Sequence, residues 1–179
     1  EAAGEPMGAA LNGGRGSGCR HGGGRVEARQ TTASMIWDGA GRGWYTGTSA
    51  PCLSLFKPIA FDPKLKDWAG PLPGVKPDTG SIFWRHEHLH RGIACAGWQR
   101  PLRMKEEGSF LEARMLKEEP PGGANLEARR EYLIAQWGQG RRSLVGWIKG
   151  ASGFEAQAGH LTTYWTKRSR EIAFPMKGS

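Results

Sequence analysis

The sequence predicts an α+β chain in which antiparallel strands come first and helices follow. Three observations carry this. Residues 30–61 are rich in β-branched and aromatic side chains and are interrupted by turn residues. Residues 81–137 instead repeat apolar side chains at helical spacing. Pro63, Pro71, Pro73 and Pro77 mark a long connection between the two regions.

Residues 1–24 are mostly Gly and Ala without an apolar period, and read as a flexible Gly-rich segment. Order is expected from Arg25 onward, in one domain over 25–179. Thr31 to Trp37 reads as a strand, Asp38-Gly39 as a turn, and Trp44-Tyr45-Thr46 as the returning strand of a hairpin. A third strand is expected over Leu53 to Phe61. There Leu53, Leu55, Ile59 and Phe61 share one face, and Lys57 interrupts that face as a snorkelling edge charge. Pro58 cannot donate to a ladder, so this strand belongs at an edge or breaks there.

Ser81 is a candidate helix cap, followed by Ile82, His86, Leu89 and Ile93 at helical spacing. A second helix is expected from Leu102 to Glu119, with Leu102, Phe110, Leu111 and Met115 inward, stopped by Pro120-Pro121. Asn125 caps a third helix, Leu126 to Trp137, with Leu126, Leu133 and Trp137 aligned. Gly138, Gly140, Gly146, Gly150 and Gly153 then interrupt the pattern, so residues 138–179 are expected to be poorly defined. One last short helix, Leu161 to Ile172, is anchored by Tyr164 and Trp165.

The chain carries 25 Lys and Arg against 17 Asp and Glu, a net charge of +8. The excess lies in the second half, in short clusters such as Arg141-Arg142 and Lys167-Arg168. These read as a solvated face, and a basic nucleic-acid-binding module is kept as an alternative function. No helix-turn-helix or aromatic RNA-binding signature accompanies the charge. Cys19, Cys52 and Cys95 are odd in number and fit no zinc or C-x-x-C spacing. They read as reduced thiols of a cytoplasmic protein, with Cys52 and Cys95 as small buried hydrophobes. No apolar run approaches the roughly 18 residues of a membrane span, so no membrane partner is expected.

His86, Glu87 and His90 form H-E-x-x-H. On a helix the two imidazoles share a face and could bind one Zn²⁺, with Glu87 activating a metal-bound water. A zinc metallopeptidase is therefore a second alternative. Arg85 and Arg91 flank the motif and oppose a cation, and no third ligand is marked out.

Four pieces in order carry a further signal: Cys19-Arg20-His21, Gln30 to Met35 (QTTASM), Tyr45 to Pro58 (YTGTSAPCLSLFKP), and Phe83 to Arg91 (FWRHEHLHR). Together they resemble the later part of secernin-type dipeptidases, cysteine hydrolases of the N-terminal nucleophile superfamily. The resemblance covers residues 19–91, and Tyr164-Trp165-Thr166-Lys167 is similar to the family's closing Y-W-x-K. Cys19-Arg20-His21 departs from the family's usual C-M-H. The resemblance accounts for the histidine helix without a metal, because W-R-H-E-x-L-H-R belongs to that family's ordinary sequence.

What the resemblance implies is a four-layer αββα fold, of which 25–179 is the C-terminal part. It implies hydrolysis of short peptides or small amides, through an N-terminal cysteine lying outside this chain. No catalytic residue, metal ligand or cofactor is thus assigned here. The implied partners are a short peptide substrate and the missing N-terminal half of the same enzyme, and self-association is left open. Thr31, Thr32 and Ser34 are the candidates for lining the substrate pocket. Their plain alternative is β-propensity on a sheet face.

Overall fold

The computed structural model describes residues 19, 30–39, 42–61, 70–96, 101–122, 124–151 and 160–171. They form a three-stranded antiparallel sheet and four α-helices, so the α+β class is as expected. The flexible segment expected over 1–24 lies outside the described residues, Cys19 excepted.

Strand β1 (Ser34–Trp37) pairs with β2 (Gly43–Thr46), placing Ser34 opposite Thr46 and Trp37 opposite Gly43. The turn between them closes through Asp38, whose amide donates to Arg42 O at 3.2 Å and whose carboxylate receives the Arg42 amide at 3.1 Å. Gly39 takes φ 75, a left-handed conformation that favours glycine.

The third strand, β3 (Lys57–Ile59), is shorter than expected. Residues Pro51–Leu53 form a 3₁₀ turn instead, entered through Ala50 at φ 48. Pro51 has no amide for a ladder and its fixed φ suits the start of a helical turn, which accounts for the difference. Pro58 does sit in the edge strand, opposite Trp44. Phe61 is 68% exposed, its ring tilted 5.4 Å from that of the half-exposed Trp37. Lys57 is a clear correction: its side chain is buried.

Helix α1 (Ile82–Cys95) is capped as expected, Ser81 Oγ receiving the Trp84 amide at 3.3 Å. Asp78 holds the cap in turn, accepting from the Gly80 amide at 2.9 Å and the Ser81 hydroxyl at 3.0 Å. His86, Leu89 and Ile93 are buried along one stripe. Helix α2 (Pro101–Lys117) buries Leu111 and Met115, but Phe110 is 67% exposed. Phe110 lies next to Leu111 in sequence, about 100° around the helix, so the two cannot both face the core.

Helix α3 (Leu126–Ala151) overturns the expected stop at Trp137. Asn125 Oδ1 caps it, receiving the Ala128 amide at 2.8 Å, and Leu126 is exposed in its first turn. The buried side is Leu133, Gln136, Trp137, Gly140, Ser143, Leu144 and Trp147. Their spacing is helical throughout, and Gly140 occupies one inward position. Tertiary contact therefore overrides the low helix propensity of glycine here. Helix α4 (His160–Glu171) buries Trp165 as expected.

The main core joins Trp44 and Leu55 to Leu89, Ile93, Met104, Leu111, Met115, Leu144 and Trp147. A smaller cluster of Ala94, Cys95 and Trp165 fixes α4 on α1. None of the described helices is long and apolar enough to cross a membrane.

Candidate functional site

The two segments that stood out in the sequence meet in space. The loop after β2 carries Ser49 to the side of α1, where Ser49 Oγ donates a hydrogen bond to Glu87 Oε2. Gln30 Nε2 lies 3.3 Å from both the Ser49 hydroxyl and Glu87 Oε2. Four residues on, the same helix face presents Arg91, whose Nε donates to Glu87 Oε1 at 2.7 Å. Arg91 Nη1 reaches across to Ser169 Oγ on α4 at 2.8 Å, and its guanidinium lies 5.1 Å from the Trp165 ring centre. His90 packs edge-on against the same indole and brings Nδ1 to 3.7 Å from Glu87 Oε2.

Glu87 and Ser49 are fully buried and Arg91 nearly so. Burial alone would push the Glu87 carboxyl upward. The hydrogen bonds from His90 and Ser49, with the charges of His90 and Arg91, outweigh it and bring the pKa down to about 2. Glu87 is thus a carboxylate at every ordinary pH. His86 is the opposite case. Burial first, then the neighbouring His90, lowers it to about 3, so its ring is neutral. Its Nε2 sits 3.4 Å from Leu53 O, and Nδ1 finds no hydrogen-bond partner among the described residues.

This arrangement does not suit the zinc reading. Both Glu87 oxygens are engaged by Arg91 and Ser49, leaving none to activate a water. Among the described residues no group of three or more His, Cys, Asp or Glu is arranged to hold a metal ion. Nor does it suit a Ser–His–carboxylate nucleophile. In that constellation the histidine stands between the hydroxyl and the acid. Here Glu87 stands between Ser49 and His90. A carboxyl with pKa near 2 is moreover a poor proton acceptor at neutral pH. The cluster binds hairpin, α1 and α4 together as one ionic, hydrogen-bonded joint.

The candidate pocket residues stand at the edge of that joint. Thr31 O accepts the Ala50 amide at 3.0 Å, which ties the start of the hairpin to the residue after Ser49. Ser34 is half-buried opposite Thr46, and Thr32 is exposed. Behind them runs a buried hydroxyl chain, Thr46 Oγ1 lying 2.7 Å from both Thr48 Oγ1 and Ser54 Oγ. Thr31 and Ser34 thus share one end of the sheet with Ser49, whereas among the described residues Thr32 has no partner in the joint.

Lys57 forms a second polar centre that sequence reasoning missed. Its Nζ donates to Leu55 O at 2.5 Å and lies 4.9 Å from the Trp137 ring centre. Trp137 Nε1 in turn donates to Pro58 O at 2.8 Å. Burial lowers Lys57 to about 7, against the opposing pull of the Glu112 carboxylate. Glu112 is itself raised by burial, although it accepts the Phe56 amide at 2.8 Å. The available signal was a lysine in register with Leu55 and Ile59 on an otherwise apolar face.

An open groove of about 1030 Å³ separates α2 from α3, floored by Met104 and Trp147 and rimmed by Arg103, Glu107 and Arg142. Its described lining comes from α2 and α3. No family model, curated protein or solved structure matches this chain.

Proposed function

We propose that the chain is the C-terminal part of a secernin-like dipeptidase, with the hairpin end at Thr31, Thr32 and Ser34 contributing to the substrate pocket. One observation carries the reading. The resembling segments lie far apart in sequence, yet Ser49 of one and Glu87 of the other form a single buried joint, 38 residues apart in sequence. On this reading the H-E-x-x-H run is structural: it anchors the hairpin whose open end faces substrate.

In the proposed αββα arrangement, the described sheet and its helices form one αβ half. The chemistry comes from an N-terminal cysteine outside this chain. Its thiol attacks the amide carbonyl and its own α-amino group, with an ordinary pKa of about 7.7–8.0, takes the proton. The second sheet would cover β1, where Met35, Ile36 and Trp37 are each about half exposed. Met35 and Trp37 share one face of the strand, and exposed apolar side chains there suit a surface that another layer covers.

The test is to express the chain joined to the coding sequence that precedes it in its gene and to follow dipeptide hydrolysis by amine release. Cleavage that is lost when the N-terminal cysteine becomes alanine supports the proposal. Substituting Thr31 or Ser34 by Val should then raise KM more than it lowers kcat. A full-length protein that folds but leaves every dipeptide of a broad panel intact would overturn it.

A further inference from the structure

The groove between α2 and α3 takes no part in the Glu87 joint or the Lys57 centre. Its volume, about 1030 Å³, is at the upper end of the range for small-molecule sites. The floor is apolar, because Met104 and Trp147 lie in it as members of the main core. The α3 wall is a straight track: Arg142, Gly146 and Gly150 follow one another at four-residue steps on one helix face, over about 12 Å. These two glycines differ from Gly140, where a Cβ would strike Lys57. A Cβ on Gly146 or Gly150 would meet nothing within 4 Å. Each weakens the helix relative to alanine, and no packing among the described residues requires it. Together they leave the track bare beside Trp147.

The charge of the groove favours an anion. From Tyr132 to Ala151 the sequence holds Arg141, Arg142 and Lys149 but no Asp or Glu. Arg142 Nη2 donates to a neutral group, Gln139 Oε1, at 3.0 Å, so most of the five guanidinium N–H donors stay open. Arg103 adds a second cation on the α2 rim. Glu107 is the acidic residue of the lining, and its Oε2 accepts Trp147 Nε1 at 3.0 Å. Glu107 stands one turn from Arg103 on α2, which disfavours an anion there and leaves Arg142 as the better anchor.

We propose that this groove binds an amphipathic monocarboxylate, with its carboxylate on Arg142 and its acyl or aromatic body along Gly146 and Gly150, over Trp147 and Met104. A guanidinium fork matches a carboxylate in two parallel hydrogen bonds. The indole and the thioether accept either kind of apolar body. A small inorganic anion would leave that floor uncovered, and an apolar cation would meet the arginines. The site shares no residue with the segments that resemble the dipeptidases, so it stands apart from the hydrolase reading.

The experiment titrates the full chain by calorimetry with decanoate and with naphthoate, and with decyltrimethylammonium as a chain of like length and opposite charge. One saturable site per chain is expected for at least one carboxylate, and the tighter of the two identifies the body. Arg142→Gln should weaken binding at least ~10-fold. Gly146→Leu should weaken it at least ~10-fold while keeping or raising the melting temperature, because leucine fills the track and favours a helix. Arg130→Gln, which removes a charge outside the groove, should bind as wild type. Equal binding of the cation, wild-type affinity in Gly146→Leu, or no saturation at ~1 mM, the weak end of ligand affinities, would overturn the proposal. So would a concentration-dependent dimer in sedimentation that Gly146→Leu abolishes, since the groove would then belong to a second copy of the chain.

Discussion

Replacing Lys57 by methionine removes a buried ammonium while keeping the length of the side chain. The folded pKa is about 7 against an ordinary lysine value of 10.5, so the unfolded chain binds the extra proton throughout that interval. Stability must then rise with pH between the two values, and the penalty is fully present below about pH 7. The whole gap is worth about 5 kcal/mol, and the part falling between about pH 9 and about pH 6 is about 3 kcal/mol. The contact with Trp137 offsets about 0.5–2 kcal/mol of this, too little to reverse the sign.

The assay is urea denaturation of wild type and Lys57→Met at both pH values. The variant's stability relative to wild type should be about 3 kcal/mol more favourable at the lower pH. The absolute difference also includes the hydrogen bond lost at Leu55 O, so the change with pH is the diagnostic quantity. A difference that stays constant across this range would mean that the ammonium is solvated, and the account of Lys57 would fail.

Glu87→Gln should cost about 3–5 kcal/mol, because it leaves the Arg91 guanidinium buried without its carboxylate, and denaturant unfolding at neutral pH would show it. A loss below about 1 kcal/mol, the range of a surface pair, would refute the joint. Two glycines of α3 should respond with opposite signs in thermal melts. A Cβ on Gly140 would stand 2.8 Å from Lys57 Cδ, so Gly140→Ala should lose about 1–3 kcal/mol. At Gly146 a Cβ meets nothing within 4 Å, so Gly146→Ala should gain up to about 1 kcal/mol. Ser81→Ala removes the cap of α1 and should cost about 1 kcal/mol in the same measurement.

What the sequence makes legible is local. The cap at Ser81, the stripe of His86, Leu89 and Ile93, and the Asp38-Gly39 turn each depend on neighbours a few residues away, and each is found where expected. The second half of α3 is illegible for a physical reason. Gly140 faces inward because Lys57 and Leu55 crowd that position, and a glycine chosen for space looks in sequence like one chosen to break a helix. The site is harder still. H-E-x-x-H is plain to see, but its meaning depends on what faces Glu87. Gln30 is 57 residues from Glu87, and Ser169 is 78 from Arg91. Lys57 misleads similarly, since a lysine between apolar residues signals an edge unless a tryptophan from a distant helix covers it.

Helix α3 has a consequence for how the fold comes apart. At 26 residues it is about 39 Å long. It receives β3 through Trp137 and Gly140, α2 through the hydrogen bonds of Tyr132 and Trp147, and Glu118 just past α2 through Gln136. It packs on α1 as well. Opening its middle would therefore break three contacts at once, so the amides from Leu133 to Trp147 should exchange with deuterium only when the whole unit unfolds. A helix with four glycines would fray early in isolation; here it is the strut on which the other elements close.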